Sequence, residues 1–163
     1  MLVRKNPEHY WGRGGAGILF VCREDDTVLL MLRSGDVEQP YTWGIPGGSV
    51  RGEGMYSRRG GATPGITDDQ FWRGAKQETI EECGSLPPNF SDSSLVAQFD
   101  YVDGSFCYRN FVCDISRADK LQWDIELNWE NDEYAWVRAG ELPRMPDLHF
   151  GSVFVLRQFG LLS

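Results

Sequence analysis

The chain reads Gln77-Glu78-Thr79-Ile80-Glu81-Glu82-Cys83-Gly84 at the end of a stretch that begins with the glycine pair at residues 47–48. At about 100° per residue, a helix places Glu78, Glu81 and Glu82 within an arc of about 100°. The neighbouring arc is mostly apolar and contains Trp72, Ala75, Thr79 and Cys83. We therefore expect a helix that buries one side and presents carboxylates on the other.

The crowding of like charge on this helix calls for an explanation. Acidic side chains three and four residues apart destabilise a helix by a few tenths of a kcal/mol per pair. A solvated acidic face is the ordinary explanation of such a run. A divalent cation is the other, because Mg²⁺ takes oxygen ligands and bridges carboxylates to phosphates.

The residues before the helix favour the cation. The chain contains Trp43-Gly44-Ile45-Pro46-Gly47-Gly48 and then Gly52-Glu53-Gly54. Glycines allow backbone N–H groups to approach an anion closely. A glycine turn followed by a carboxylate helix is therefore expected to bring phosphate and metal together.

Together these residues resemble the signature of the Nudix hydrolases. Gly47 is followed after five residues by Glu53, and Glu78, the pair 81–82 and Gly84 fall at the spacing of that signature. Gly74-Ala75 also occupy two positions where the family has small residues.

The chain departs from the signature in three ways. It has 23 residues between Glu53 and Gln77, an insertion of 16. Gln77 occupies the position of the family's arginine, and Thr79 and Ser85 occupy its two aliphatic positions. A longer surface loop is tolerated, because each doubling of loop length adds only about 0.6 kcal/mol. Arg73 or an arginine of the insertion is a candidate to replace the missing charge.

The resemblance implies an α/β fold, the Nudix α/β/α sandwich with a mixed β-sheet. One domain would span residues 1–163, with an inserted loop at about 54–67. The resemblance also implies Mg²⁺, with Mn²⁺ as a substitute. The implied metal ligands are Glu53, Glu78, Glu81 and Glu82.

A second acidic cluster contains Glu126, Glu130, Asp132 and Glu133. Taken alone, it is an exposed loop before a strand, because charged residues are mostly solvated. Nudix enzymes draw a further glutamate from a loop of this kind, and Glu130 stands at the matching place, with Glu133 in reserve. The resemblance thus makes Glu130 an added metal ligand or a general base. The base remains open among Glu81, Glu82 and Glu130.

The expected activity is Mg²⁺-dependent hydrolysis of a phosphoanhydride in a nucleoside diphosphate linked to another moiety. Nucleoside triphosphates, ADP-ribose and dinucleoside polyphosphates all fall within this class. The alternative is a catalytically silent Nudix fold that binds a nucleotide or a protein. The retention of Glu78, Glu81 and Glu82 favours the enzyme, since a binding module gains nothing from clustering the three charges.

Four residues are candidates to contact the substrate. The backbone of Gly47 and Gly48 would position a phosphate. Arg33, after the second predicted strand, is either a phosphate contact or a charge at the end of a strand. The spacing of Tyr101 from the signature resembles that of the tyrosine in the dinucleoside polyphosphate hydrolases of this family. Its alternative is packing within the sheet, as for the other candidate stacking aromatics Tyr41, Trp43, Phe106 and Tyr108.

Composition agrees with a small enzyme. The chain has 163 residues and a net charge of −8, which fits one domain with its own core and argues against a surface that coats nucleic acid. Its four cysteines show no metal-ligand spacing, so we expect a reduced, cytoplasmic setting. No segment has the apolarity of a membrane span, and residues 1–15 lack the apolar core of a signal peptide. A homodimer is compatible with the sequence.

The remaining pattern predicts strands on either side of a central helix. The helix is expected at 68–83, because Thr67-Asp68-Asp69-Gln70 matches a capping box and Gly84 supplies the stop. Gly74 within it suggests a close approach by the glycine loop. Other predicted elements are hairpins of 17–22 with 27–32 and of 95–101 with 106–113, a strand at 133–137 and a closing helix at 148–159. Such an order favours a sheet between helices.

Overall fold

The computed structural model describes residues 14–50 and 65–163 of the chain. Seven strands and three α-helices lie in these ranges. The strands are β1 Gly14–Cys22, β2 Thr27–Arg33, β3 Trp43–Gly44, β4 Gly47–Ser49, β5 Leu95–Asp103, β6 Phe106–Asp114 and β7 Asn131–Arg138. The helices are α1 Asp68–Cys83, α2 Arg117–Gln122 and α3 Phe150–Gln158, and two short 3-10 helices cover Asp92–Ser94 and Ala139–Arg144.

The strands form one mixed sheet around β1. β1 runs parallel to β6 over its length, and β6 forms an antiparallel hairpin with β5. On its other edge β1 pairs with β2 only at Val21 and Cys22, whereas its start, at residues 15–17, pairs with β4. β2 continues alongside β7 and β3. The sheet therefore opens between β1 and β2, and residues 43–49 line the opening.

The helices α1 and α3 lie on opposite faces of the sheet, each over its own core. Successive residues of a strand face opposite sides. Ile18 and Phe20 of β1 accordingly pack in the cluster under α1, while Leu19 and Val21 pack in the cluster under α3. This arrangement confirms the α/β/α sandwich with a mixed sheet.

The ends of α1 are fixed by its capping residues, as the sequence predicts. The Thr67 hydroxyl accepts from the Gln70 N–H at 3.1 Å, and the Gln70 side chain accepts from the Thr67 N–H at 2.8 Å. Gly84 ends the helix in the left-handed region at φ 84°. The predicted side of presented carboxylates holds for Glu81, which is exposed, but not for Glu82, which is only 3% exposed.

Two features of the opening differ from expectation. The stretch predicted to be a glycine turn contains the short strands β3 and β4, which are too brief to show a pattern. Gly74 does have a close neighbour, since a Cβ there would lie 2.5 Å from the Val50 side chain. The residue that lies close to Gly74 is therefore Val50, directly after β4, and not a glycine. Glu53 and most of the predicted insertion, 54–67, lie outside the described residues.

No helix within residues 14–50 and 65–163 is long and apolar enough to cross a membrane.

Candidate active site

Glu82 is a buried carboxylate held between two strands. Its Oε2 accepts from the Gly47 N–H at 2.7 Å, and its Oε1 accepts from Asn131 Nδ2 at 2.9 Å. Burial raises the pKa of Glu82 to about 8; the two hydrogen bonds oppose the rise, and the charges of Glu130 and Glu78 add to it. The N–H of Gly47 is therefore used to hold a carboxylate rather than left free for a phosphate.

Glu78 lies one helical turn earlier, directly over β4. A Cβ on Gly48 would come within 2.6 Å of the Glu78 carboxyl group, so only glycine leaves room for this side chain. Partial burial raises the pKa of Glu78 to about 7, and the charges of Glu81 and Glu130 raise it further. Two carboxylates with raised pKa values thus sit side by side over the glycine strand.

Glu130 joins them from the loop before β7. Its backbone carbonyl accepts from the Ser34 N–H at 2.8 Å, next to the irregular pairing of β2 with β7. Its charge raises the pKa of both Glu78 and Glu82. Within the second acidic cluster, Glu130 is the residue whose charge acts on Glu78 and Glu82. Glu126 meets the end of α1 through its backbone N–H, which donates to the Cys83 carbonyl at 2.9 Å, and the reserve candidate Glu133 is exposed on β7.

Glu81 lies at the exposed edge of the group. Its Oε1 accepts from Gln77 Nε2 at 3.1 Å, one helical turn away. Gln77 therefore supplies a hydrogen bond where the signature has a charge. Arg73 does not replace that charge, because its guanidinium pairs with Asp69 at 2.7 Å.

The donor chemistry of this group fits Mg²⁺, which prefers carboxylate oxygens. An ion would offset the burial of negative charge, and the added repulsion, that raise the pKa values of Glu78 and Glu82. Within residues 14–50 and 65–163 no group of three or more His, Cys, Asp or Glu side chains is already spaced to hold a metal. The carboxylate of Glu82 is instead turned toward Gly47 and Asn131.

Tyr108 lies on the other face of the sheet, beneath the same glycines. A Cβ on Gly47 would come within 2.1 Å of the Tyr108 hydroxyl oxygen, and one on Gly17 within 2.7 Å. Burial raises the pKa of Tyr108. The negative charges of Glu82 and Glu78 raise this pKa further, whereas the positive charge of Arg33 lowers it. The hydroxyl of Tyr108 thus lies beneath Gly47, and the charges of both the acidic group and Arg33 act on it.

Arg33 and Tyr101 also lie on the α3 side of the sheet opening. The Arg33 Nε donates to the Glu38 carbonyl at 2.8 Å. Tyr101 stands opposite Tyr108 in the β5–β6 hairpin and packs edge-on against Phe154, with ring centroids 5.4 Å apart. Tyr101 therefore packs against α3, as its alternative interpretation predicts, and the residue remains partly exposed.

Asn131 and the position of Tyr108 beneath the glycines were not predicted from the sequence. Asn131 is the first residue of β7 and is 6% exposed. Its only signal is that it follows Glu130. A lone asparagine before a strand has many uses, so its hydrogen bond to Glu82 could be found only in three dimensions.

The fold has many solved counterparts, although no family model and no curated protein matches the chain. A Nudix hydrolase from M. smegmatis, RenU, has a TM-score of 0.59 at 22% identity, over 92% of this chain and 85% of that one. A C. elegans Ap4A hydrolase has a TM-score of 0.57 at 19% identity, over 89% and 94%. The NUDIX domain of Shewanella oneidensis NrtR, complexed with ADP ribose, has a TM-score of 0.52 at 14% identity, over 96% and 92%. At these identities the likeness establishes the fold that the chain shares with Nudix hydrolases.

Proposed function

We propose that the protein is a Mg²⁺-dependent hydrolase of a phosphoanhydride bond in a nucleoside diphosphate linked to another moiety. The observation that carries the proposal is the placement of Glu78 and Glu82 over the glycine strand Gly47–Ser49, with the charge of Glu130 acting on both. Such grouping of buried acids raises their pKa values and is characteristic of functional sites. The fold shared with solved Nudix hydrolases supports the same reaction.

In this proposal Glu78 and Glu82 hold Mg²⁺, or Mn²⁺ in its place, with Glu81 and Glu53 as further ligands. The ion supplies positive charge that stabilises the charge developing on the phosphates. Gly47 fixes the orientation of Glu82 through its N–H, and Gly48 leaves the space that Glu78 occupies.

Glu130 is the proposed proton acceptor for the attacking water. Both oxygens of Glu82 already accept hydrogen bonds from the protein. Glu81 is exposed and bonded to Gln77. Glu130 lies near the other carboxylates and has only a long contact, 3.4 Å, from Asn128 Nδ2 to its own Oε1, so it is the best placed of the three to take a proton.

The test is a product analysis with Mg²⁺ and a panel of ATP, ADP-ribose and diadenosine tetraphosphate. We expect release of a nucleoside monophosphate or pyrophosphate by the wild type and none by Glu82→Gln. Glu141→Gln, at an exposed position in a 3-10 helix, is the control and should retain full activity. Absence of turnover on every substrate by a protein that nucleotides stabilise against heat would refute the proposal.

That last result would favour a catalytically silent binding module. Gln77 is the residue that keeps this alternative open, because it brings no positive charge to the glutamates. The NrtR domain with the same fold was solved with ADP ribose bound. Tight, metal-independent binding without hydrolysis would then be the expected behaviour.

A further inference from the structure

Three side chains converge on Gly44 of β3, away from the glutamates. From the position of a Cβ on Gly44, the Arg33 Cδ lies at 3.7 Å and the His149 Cβ and Ser152 Oγ each lie at 3.8 Å. Arg33 ends β2, His149 caps α3 and Ser152 lies in the first turn of α3. The glycine leaves an open space of about methyl size where these three meet.

Ser152 has a buried hydroxyl with an unmade hydrogen bond. The residue is 1% exposed, and its Oγ has no hydrogen-bond partner among the described residues. A buried polar atom left unpaired costs roughly 1–3 kcal/mol. The hydroxyl of Ser152 is therefore available to donate to a bound ligand.

His149, whose Cβ lies at the same glycine, has a donor on a fixed ring nitrogen. Its Nδ1 accepts from the Gly151 N–H at 3.0 Å, so the proton of the neutral ring is on Nε2. Nε2 donates to no residue within the described ranges. Burial, and then the charge of Arg33, lower the pKa of His149 to about 4, and the ring therefore stays neutral.

The surroundings are suited to an anion. Arg33 carries a positive charge, although its Nε and Nη2 both donate to the Glu38 carbonyl, and the N-terminus of the nine-residue helix α3 adds a partial positive charge. The first turn of α3 contains no acidic residue. The nearest acid along the chain is Asp147, an exposed residue two positions before the cap, whose carbonyl accepts from the Trp43 N–H.

We propose that Arg33, His149 and Ser152 form a donor subsite that binds a phosphate oxyanion of the substrate outside the bond that is cleaved. The inference rests on the proposed function, which places the cleaved bond at Glu78 and Glu82. Substrates with three or more linked phosphates are then favoured over those with two, such as ADP-ribose.

Ser152→Ala tests the subsite because it removes the hydroxyl and leaves no unpaired group. Calorimetric titration with ATP in EDTA measures binding without the metal-bridged contact to the glutamates. We expect the Kd for ATP to rise about tenfold or more, the range of a hydrogen bond to a charged group. The KM for ADP-ribose with Mg²⁺ should stay within twofold, and the Tm of the free protein should be unchanged or higher.

Thr27→Val is the matched control. Thr27 is also buried, but its hydroxyl donates to Asp25 at 2.7 Å and accepts from Lys120 at 3.0 Å, at the opposite end of β2 from Arg33. Its loss should lower the Tm and leave the Kd for ATP unchanged. Opposite effects on Tm and Kd in the two variants distinguish a ligand-binding hydroxyl from a structural one.

Gly44→Ala provides a second, steric test. The added methyl meets its neighbours at ordinary contact distance, so the fold is retained while the space between the donors is filled. If both Gly44→Ala and Ser152→Ala leave the ATP Kd and KM within twofold while hydrolysis proceeds, the subsite is refuted and the proposed function stands. If both weaken ATP binding but the wild type hydrolyses nothing, the subsite stands and the proposed function fails.

Discussion

Replacing Glu82 with glutamine should stabilise the metal-free protein at alkaline pH. The folded state holds the Glu82 carboxyl at a pKa of about 8, against an ordinary value of 4.5. Between these values the folded protein binds more protons than the unfolded chain, so the free energy of unfolding falls as pH rises. The loss of stability that ionised Glu82 causes is absent below about pH 4.5 and complete above about pH 8.

The size of the effect follows from the shift. Each pKa unit corresponds to about 1.4 kcal/mol, which sets an upper limit of about 5 kcal/mol for Glu82 above pH 8. Glutamine has the shape of the protonated acid. Its oxygen can accept from the Gly47 N–H, and the Asn131 amide can rotate so that its own oxygen accepts from the new NH₂ group. The variant therefore keeps both hydrogen bonds and loses the buried charge.

Urea unfolding in EDTA, followed by tryptophan fluorescence from pH 5 to pH 8.5, measures the free energy of unfolding of both proteins. We expect the advantage of Glu82→Gln over the wild type to grow by at least about 2 kcal/mol across the range. Glu141→Gln should follow the wild type within about 0.5 kcal/mol, as exposed substitutions do. Parallel pH curves for wild type and Glu82→Gln would show that the raised pKa and the burial argument behind it are wrong.

Three further predictions concern the packing of α1. Gly48→Ala should abolish hydrolysis with little loss of fold, because its Cβ displaces the Glu78 carboxylate; an active variant would contradict this placement. Gly74→Ala should lower the free energy of unfolding despite a helix-propensity gain of about 1 kcal/mol, since the methyl would collide with Val50, and Val50→Ala should reverse the loss. Arg109→Ala should destabilise by about 1–3 kcal/mol, measured by urea unfolding, because one guanidinium joins an aspartate of α1 to one of β5.

The parts of the fold that the sequence predicts are those with local signals. The helix 68–83 was correct to the residue because Thr67, Gln70 and Gly84 specify its ends through short-range hydrogen bonds. The hairpin around Asp103-Gly104 was correct for the same reason. β3 and β4 contain two and three residues, and the strands they pair with lie elsewhere in the chain. No local sequence pattern therefore predicts them.

The candidate site was predicted in its composition but not in its burial. Helical periodicity places Glu82 on the acidic arc, yet among the described residues it is the one Asp, Glu, Lys or Arg that is buried. The reason is tertiary, because β4 and β7 close over this one carboxylate and provide Gly47 and Asn131 as donors. Helical periodicity shows which residues share a face of the helix. It does not show which distant segment of the chain packs on part of that face.

The charges around α1 leave its glutamates without a protein counterion in the described ranges. The cations on and beside the helix are all engaged elsewhere: Arg73 with Asp69, Arg109 with Asp68 and Asp100, and Lys76 near Asp92. Gln77, in the position of the signature arginine, contributes only a neutral hydrogen bond. Burial with no neighbouring positive charge is the main cause of the raised pKa values of Glu78 and Glu82. A site whose charge is balanced only by an added cation gains most from binding one, and this imbalance is the physical basis for the proposal that Mg²⁺ completes it.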